Sequence, residues 1–127
     1  MTVVGVVGTA ALDTRDATEF LRTLAAFVAL ETPVRLFEVG PGVGALSSDA
    51  RDLSADGEHY LTALREEGVA LETAADLPAA LATAHAVVVL ADPHRPGVPA
   101  ILALPRGTAP GVEQLADLLA AGQVRLG

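Results

Sequence analysis

Asp92-Pro93-His94-Arg95-Pro96 brings a carboxylate, an imidazole and a guanidinium into one short run. Such a set can move a proton near neutral pH and hold an anion. A reaction needs more than that. No nucleophile-elbow serine accompanies the histidine, neither HxH nor HExxH spacing is present for a metal, and His59 and His85 stand alone. The run reads as a proline-stiffened loop that can touch a ligand through His94 and Arg95, with no catalytic residue and no metal assigned.

A second constellation is Gly8-Thr9-Ala10-Ala11-Leu12-Asp13-Thr14-Arg15-Asp16. Its hydroxyls, Thr9 and Thr14, and its backbone N–H groups stand just before a helix start, the setting of an anion cradle. Asp13 and Asp16 suit the positive end of that helix and would repel a phosphate placed there. The turn around Gly5 and Gly8 lacks the glycines of GxGxxG, with Val7 and the run from Thr9 to Leu12 in their place, so no NAD fingerprint is present. Glu38 falls where a ribose-binding acid would follow a second strand; without those glycines it reads as a strand-end charge. The chain has no Cys and no Lys, which removes thiolate chemistry, disulfides, Schiff bases and the P-loop lysine.

The elements that must position these residues follow from the pattern of apolar residues. Val3–Val7 and Ala86–Leu90 are short β-branched or fully apolar runs and predict buried strands. Asp16 and Glu19 have capping-box spacing ahead of Phe20, Leu21, Leu24, Phe27 and Val28, which predicts a helix to about Leu30. A strand over 34–39 ends in the turn Gly40-Pro41-Gly42-Val43-Gly44, and the polar stretch 47–56 predicts a mobile loop. A second helix buries Leu61 and Leu64 with Tyr60 beside them and ends at Gly68 as a left-handed cap. A short strand over 69–72, a helix from an Asp76 cap to Ala84, a strand over 100–104, a helix over 112–121 and an edge strand over 124–126 complete the alternation.

Strands alternating with helices predict one α/β domain over 1–127: a three-layer, Rossmann-like open sheet, mostly parallel, with helices on both faces. Ligands of such sheets bind beyond the carboxyl ends of the strands. The segments to watch are therefore 8–16, 39–46, 91–99 and 105–110. The 51% apolar fraction comes with three Phe, one Tyr and no Trp, so the core must be aliphatic. All eight basic residues are Arg against 16 acids, and a formal charge of -8 argues against nucleic acid and anionic membranes as partners. The start MTVVGVVG has neither a basic n-region nor a long apolar run, which predicts a cytoplasmic protein.

The segments together resemble the C-terminal domain of the UDP-glucose/GDP-mannose dehydrogenase family over nearly the whole chain. Gly8-Thr9-Ala10-Ala11 with Asp13-Thr14-Arg15-Asp16 is similar to the family's GLAFKxxTDDxRxSP, and Phe37-Glu38 to its YDP turn. LPAALATAHAVVVLAD, from Leu77 to Asp92, is similar to LEEALxxADAVVVLTxH, and Leu104-Pro105-Arg106-Gly107 to DxRN. The resemblance implies a UDP-sugar-binding fold in which Arg106 carries over. It departs from the family at the motif's Lys, replaced near Leu12, at its Arg, near Thr18, and at the Asp and Asn of DxRN, here Leu104 and Gly107. Losing two or three charge-assisted hydrogen bonds at about 1.5–3 kcal/mol each removes much of the roughly 8 kcal/mol of a micromolar complex. The expectation is a stand-alone, non-catalytic module for a nucleotide-type small molecule, without a resident cofactor, acting through self-association or a protein partner. Its ligand-binding residues are Thr9, Thr14, His94, Arg95 and Arg106.

Two other resemblances give alternatives. Gly8 to Thr14 is similar to the GSxRxxS loop of flavodoxin-like FMN reductases, and Asp92 to Pro99 to their TPEYNxxxPG loop, which implies FMN and an NAD(P)H-dependent reductase. The chain also resembles small sulfur-relay proteins of the DsrE type, whose Cys is missing here, which implies an interaction subunit.

Overall fold

Five consecutive residues, Val3–Val7, form strand β1, and every one is buried. The computed structural model describes residues 2–8, 14–39, 43–48, 53–90 and 101–104. Helix α1 (Thr14–Ala29) follows β1, then β2 (Val34–Glu38), α2 (Ala55–Glu66) and the short β3 (Leu71–Glu72). One 3-10 turn (Ala74–Asp76) leads into α3 (Leu77–Thr83), β4 (Ala86–Leu90) and β5 (Ile101–Leu104). The sheet order is β3-β2-β1-β4-β5. β1, β2, β3 and β4 are all parallel, and β5 pairs antiparallel with β4. This is the α/β, Rossmann-like open sheet that the alternation predicts.

The handedness of crossovers sorts the helices into layers. From β1 to β3 the chain steps outward one way, with α1 and α2 on one face; from β3 to β4 it reverses, so a right-handed connection carries α3 across the other face. On the first face Val3, Val7, Leu36 and Val88 pack with Phe20, Leu21 and Leu24 of α1 and with Leu61 and Leu64 of α2. The α1 positions recur at three- and four-residue spacing, so one stripe of the helix enters the core. Each such side chain contributes about 1.5–3 kcal/mol by leaving water. The alternate residues Val4, Val6, Phe37, Val87 and Val89 are buried on the second face, as are Leu77, Ala80 and Leu81 of α3. Gly5 lets α1 approach closely: a Cβ there would stand 2.7 Å from a terminal carbon of the buried Leu24.

Several expectations need correction. α1 begins at Thr14, so Asp16 lies in its first turn and is not the cap, and Glu19 accepts from Arg22 at 3.4 Å. The capping-box spacing was coincidental because the helix starts two residues earlier. Ser54 is the N-cap of α2, its hydroxyl accepting from the Gly57 N–H at 3.0 Å, so the expected mobile loop over 47–56 is anchored at its helical end. Asp76 occupies the cap position of α3 without a side-chain cap bond. The one antiparallel pairing among the described strands is that of β5, in keeping with a mostly parallel sheet. The connection 91–100 is ten residues long, shorter than the dozen or more that a parallel crossover requires, so the chain returns antiparallel. The strand order also departs from the flavodoxin order 2-1-3-4-5, so the FMN-reductase resemblance does not find its fold. The elements expected at 112–121 and 124–126 lie outside the described residues.

Candidate functional site

β1, β2 and β4 end level with one another, because Val7 pairs with both Glu38 and Leu90. One further rung follows on each side: the Val39 N–H donates to the Val7 carbonyl at 2.9 Å, and the Gly8 N–H to the Leu90 carbonyl at 3.0 Å. Strand order reverses between β1 and β4, since the chain leaves β1 toward β2 and returns on its other side. This is a topological switch point, the place beyond the strand ends where open α/β sheets bind their ligands. Gly8 and Leu90 are the last described residues before the segments that carry Thr9 and the Asp92–Arg95 run. The hydrogen bond between them holds the ends of β1 and β4 side by side.

Two helix N-termini share this end of the sheet. Thr14 is the first residue of α1 and is exposed. The Thr18 hydroxyl donates to the Thr14 carbonyl at 2.6 Å and lies 2.6 Å from the Ser54 hydroxyl. Thr18 has one proton and has spent it on Thr14, so Ser54 donates to Thr18 while accepting from Gly57. The chain of hydroxyls ties the first turn of α1 to the cap of α2. The tight fit needs Gly57, where a Cβ would stand 3.2 Å from the Thr18 hydroxyl. Helix ends so arranged carry partial positive charge toward the carboxyl edge.

Glu38 shows what this edge is not built for. Its side chain is 6% exposed. One carboxylate oxygen accepts from the backbone N–H groups of Leu46 and Ser47 at 2.9 and 3.1 Å, and the other from the Ser47 hydroxyl at 2.7 Å. The carboxylate is therefore occupied by its own chain, holding the 43–48 turn over the end of β2 while Leu46 enters the core. A ribose-binding acid would have those lone pairs free. Sequence reasoning placed Glu38 at a strand end but missed the anchor. Ser54 was also legible, standing before a turn that carries Asp56 and Glu58.

Of the ligand-binding residues expected from sequence, Thr14 is the exposed first residue of α1, while Thr9, His94, Arg95 and Arg106 lie outside the described residues. Leu104 pairs with Val87 and Ile101 with Leu90, so β5 leaves the sheet toward the amino edge, away from Gly8. His85 also belongs to the amino edge, its N–H donating to the Thr2 carbonyl at 2.7 Å. His59 is exposed on α2, its ring edge-on to Tyr60 with centroids 5.7 Å apart. Arg35 is committed elsewhere, with Nε and Nη2 donating to Glu72 at 3.0 and 2.6 Å and the guanidinium 5.2 Å from the Phe37 ring centre. The hydrogen bond to Glu72 raises its pKa above the ordinary Arg value. Among the described residues no group of three His, Cys, Asp or Glu could hold a metal ion, and no helix is long and apolar enough to cross a membrane. At the carboxyl edge the described residues offer two helix starts with partial positive charge, and no described pair of groups there forms an acid–base couple. No family model, no curated protein and no solved structure matches this chain.

Proposed function

We propose that the chain is a non-catalytic binding module for a phosphate-bearing, nucleotide-type small molecule, seated in the crevice between the carboxyl ends of β1 and β4. The observation that supports this reading is the reversal of strand order at that point, with α1 opening at Thr14 directly after β1. Thr9 and Thr14 supply hydroxyls and helix-start N–H groups, and His94 and Arg95 approach from the segment after β4. The ligand class suggested by the family resemblance is a UDP-sugar. Binding is weak, because the family's charged motif residues are missing and Glu38 does not hold a ribose.

The test is calorimetry with UDP-glucose and UDP-glucuronate, together with thermal unfolding against a nucleotide panel that includes FMN. The expected result is a weak UDP-sugar complex without turnover. Arg95→Ala weakens it about tenfold, the value of one charge-assisted contact, and Arg106→Ala leaves it unchanged. A protein that purifies yellow or is stabilised by FMN alone would replace this reading with the reductase. Indifference to every nucleotide would leave an interaction protein.

A further inference from the structure

The opposite end of the sheet carries a second feature, independent of the nucleotide-type reading. Two contiguous hollows of about 390 and 410 Å3 lie where the C-terminal ends of α1 and α2 meet the starts of β2 and β3, and they share Val28, Glu31 and Glu67. Both are open to solvent and floored by aliphatic groups, among them Ala25, Val28, Ala63 and Val69. Leu30, 75% exposed, is the residue just past α1, in the chain between the lining residues Ala29 and Glu31.

The rim is acidic in a way that local structure does not favour. Glu31, Glu66 and Glu67 line the hollows at the negative ends of two helix dipoles, where carboxylates destabilise a helix. No described residue ion-pairs with their side chains, and Arg65 is the basic residue in the last turn of α2. The two helix ends provide an internal control. Both close with the same pair of backbone bonds: Thr32 N–H to the Phe27 carbonyl and Glu31 N–H to Val28 in α1, Val69 N–H to Leu64 and Gly68 N–H to Arg65 in α2. The residue that must turn left-handed is Gly68 in α2, with φ 87°, and Glu31 in α1, with φ 61°. The chain thus keeps a carboxylate where glycine is the residue of choice.

We propose that this groove docks a basic, amphipathic segment of a partner protein, with aliphatic side chains on the floor and Arg or Lys over Glu31, Glu66 and Glu67. Charge complementarity selects that occupant: an aliphatic floor bounded by carboxylates that no described residue pairs with, and by two negative helix ends, fits a cationic, apolar peptide. An anionic or purely polar segment does not fit, and the described carboxylates do not assemble a metal site.

The probe is a synthetic helix of about four turns with Leu on one face and Arg on the other, titrated into the full chain by fluorescence anisotropy. A control peptide of equal charge has Ser in place of Leu. The Leu/Arg peptide should bind, the Arg/Ser peptide at least tenfold more weakly, and the combined Glu31→Gly, Glu66→Gln and Glu67→Gln variant about tenfold more weakly than the parent. Ala29→Phe, on an exposed lining position, should block binding without disturbing the core. Equal binding of the two peptides, full affinity in the triple variant or in Ala29→Phe, or no binding at all would each overturn the proposal. So would stabilisation by calcium that the triple variant loses, which would make the rim a cation site.

Discussion

The two ends of the sheet use glutamate in opposite ways. At the carboxyl edge Glu38 is buried and accepts three hydrogen bonds from the 43–48 turn, so a potentially costly charge becomes the organiser of a loop. At the amino edge Glu31 is exposed, sits at positive φ and faces helix ends of its own sign. The first residue is where local physics wants an acid; the second is where it wants a glycine. The contrast separates a carboxylate that serves the fold from one that the fold merely tolerates. Stability measurements on variants at each end can break that distinction.

The largest effect belongs to Glu38. Glu38→Ala strands two backbone N–H groups and a hydroxyl at a buried site and should cost about 3 kcal/mol, seen as a fall of about 10 °C in Tm. Glu38→Gln keeps one acceptor oxygen and should cost about half as much in urea unfolding. A Glu38→Ala variant as stable as the parent would erase the contrast. Ser54→Ala comes next at the same edge: it removes the α2 cap and the donor to Thr18, at a cost of about 1–2 kcal/mol. Hydrogen exchange in the first turns of both α1 and α2 should accelerate, because the hydroxyl chain joins them.

How much of this was legible in the sequence depends on the range of the interaction. Val3–Val7 and Ala86–Leu90 fall where runs of β-branched and apolar residues predict strands, because burial on both faces leaves no other pattern. Gly68 as a left-handed cap is equally local. The antiparallel return of β5 suits its short connection, since ten residues are fewer than a parallel crossover requires. The role of Glu38 was not available, because its donors are eight and nine positions away and depend on how the turn folds back. The groove at the amino edge is less local still: it exists only once α1 and α2 lie side by side, bringing Glu31 next to Glu67. At the candidate site the sequence indicates which loops to watch, and the topology adds that those leaving β1 and β4 begin as neighbours.

At the amino edge the sign of the effect should reverse. Glu31→Gly relieves a left-handed side chain and removes a carboxylate from a helix C-terminus, and should stabilise by about 1 kcal/mol. Gly68→Ala imposes the same strain on α2, where no side chain now exists, and should cost about 1 kcal/mol. The pair, measured by urea unfolding, tests whether the two caps are equivalent. If Glu31→Gly instead destabilised, the carboxylate would have a structural partner and the distinction between the two ends would fail.

Glu72 falls between these extremes and should give the smallest effect. It is half-buried on the edge strand and paired with Arg35, whose side chain is 37% exposed, so solvent screens much of their attraction. Glu72→Gln should cost about 0.5 kcal/mol, the worth of a well-formed but exposed pair. The stacking of Arg35 on Phe37 remains in the variant. The pH dependence follows from the direction of the Arg35 shift. Its folded pKa is raised, chiefly by the Glu72 hydrogen bond, so the stability this adds is fully present below the unfolded Arg pKa and is lost only as pH rises through the folded one. Both lie far above neutral pH. The cost of Glu72→Gln should therefore be the same at about pH 7 and pH 9, and a cost that changed between them would mean that a group other than Arg35 faces this carboxylate. Ranked together, Glu38, Glu72 and Glu31 should run from large loss through small loss to gain, in the order of their burial and hydrogen bonding.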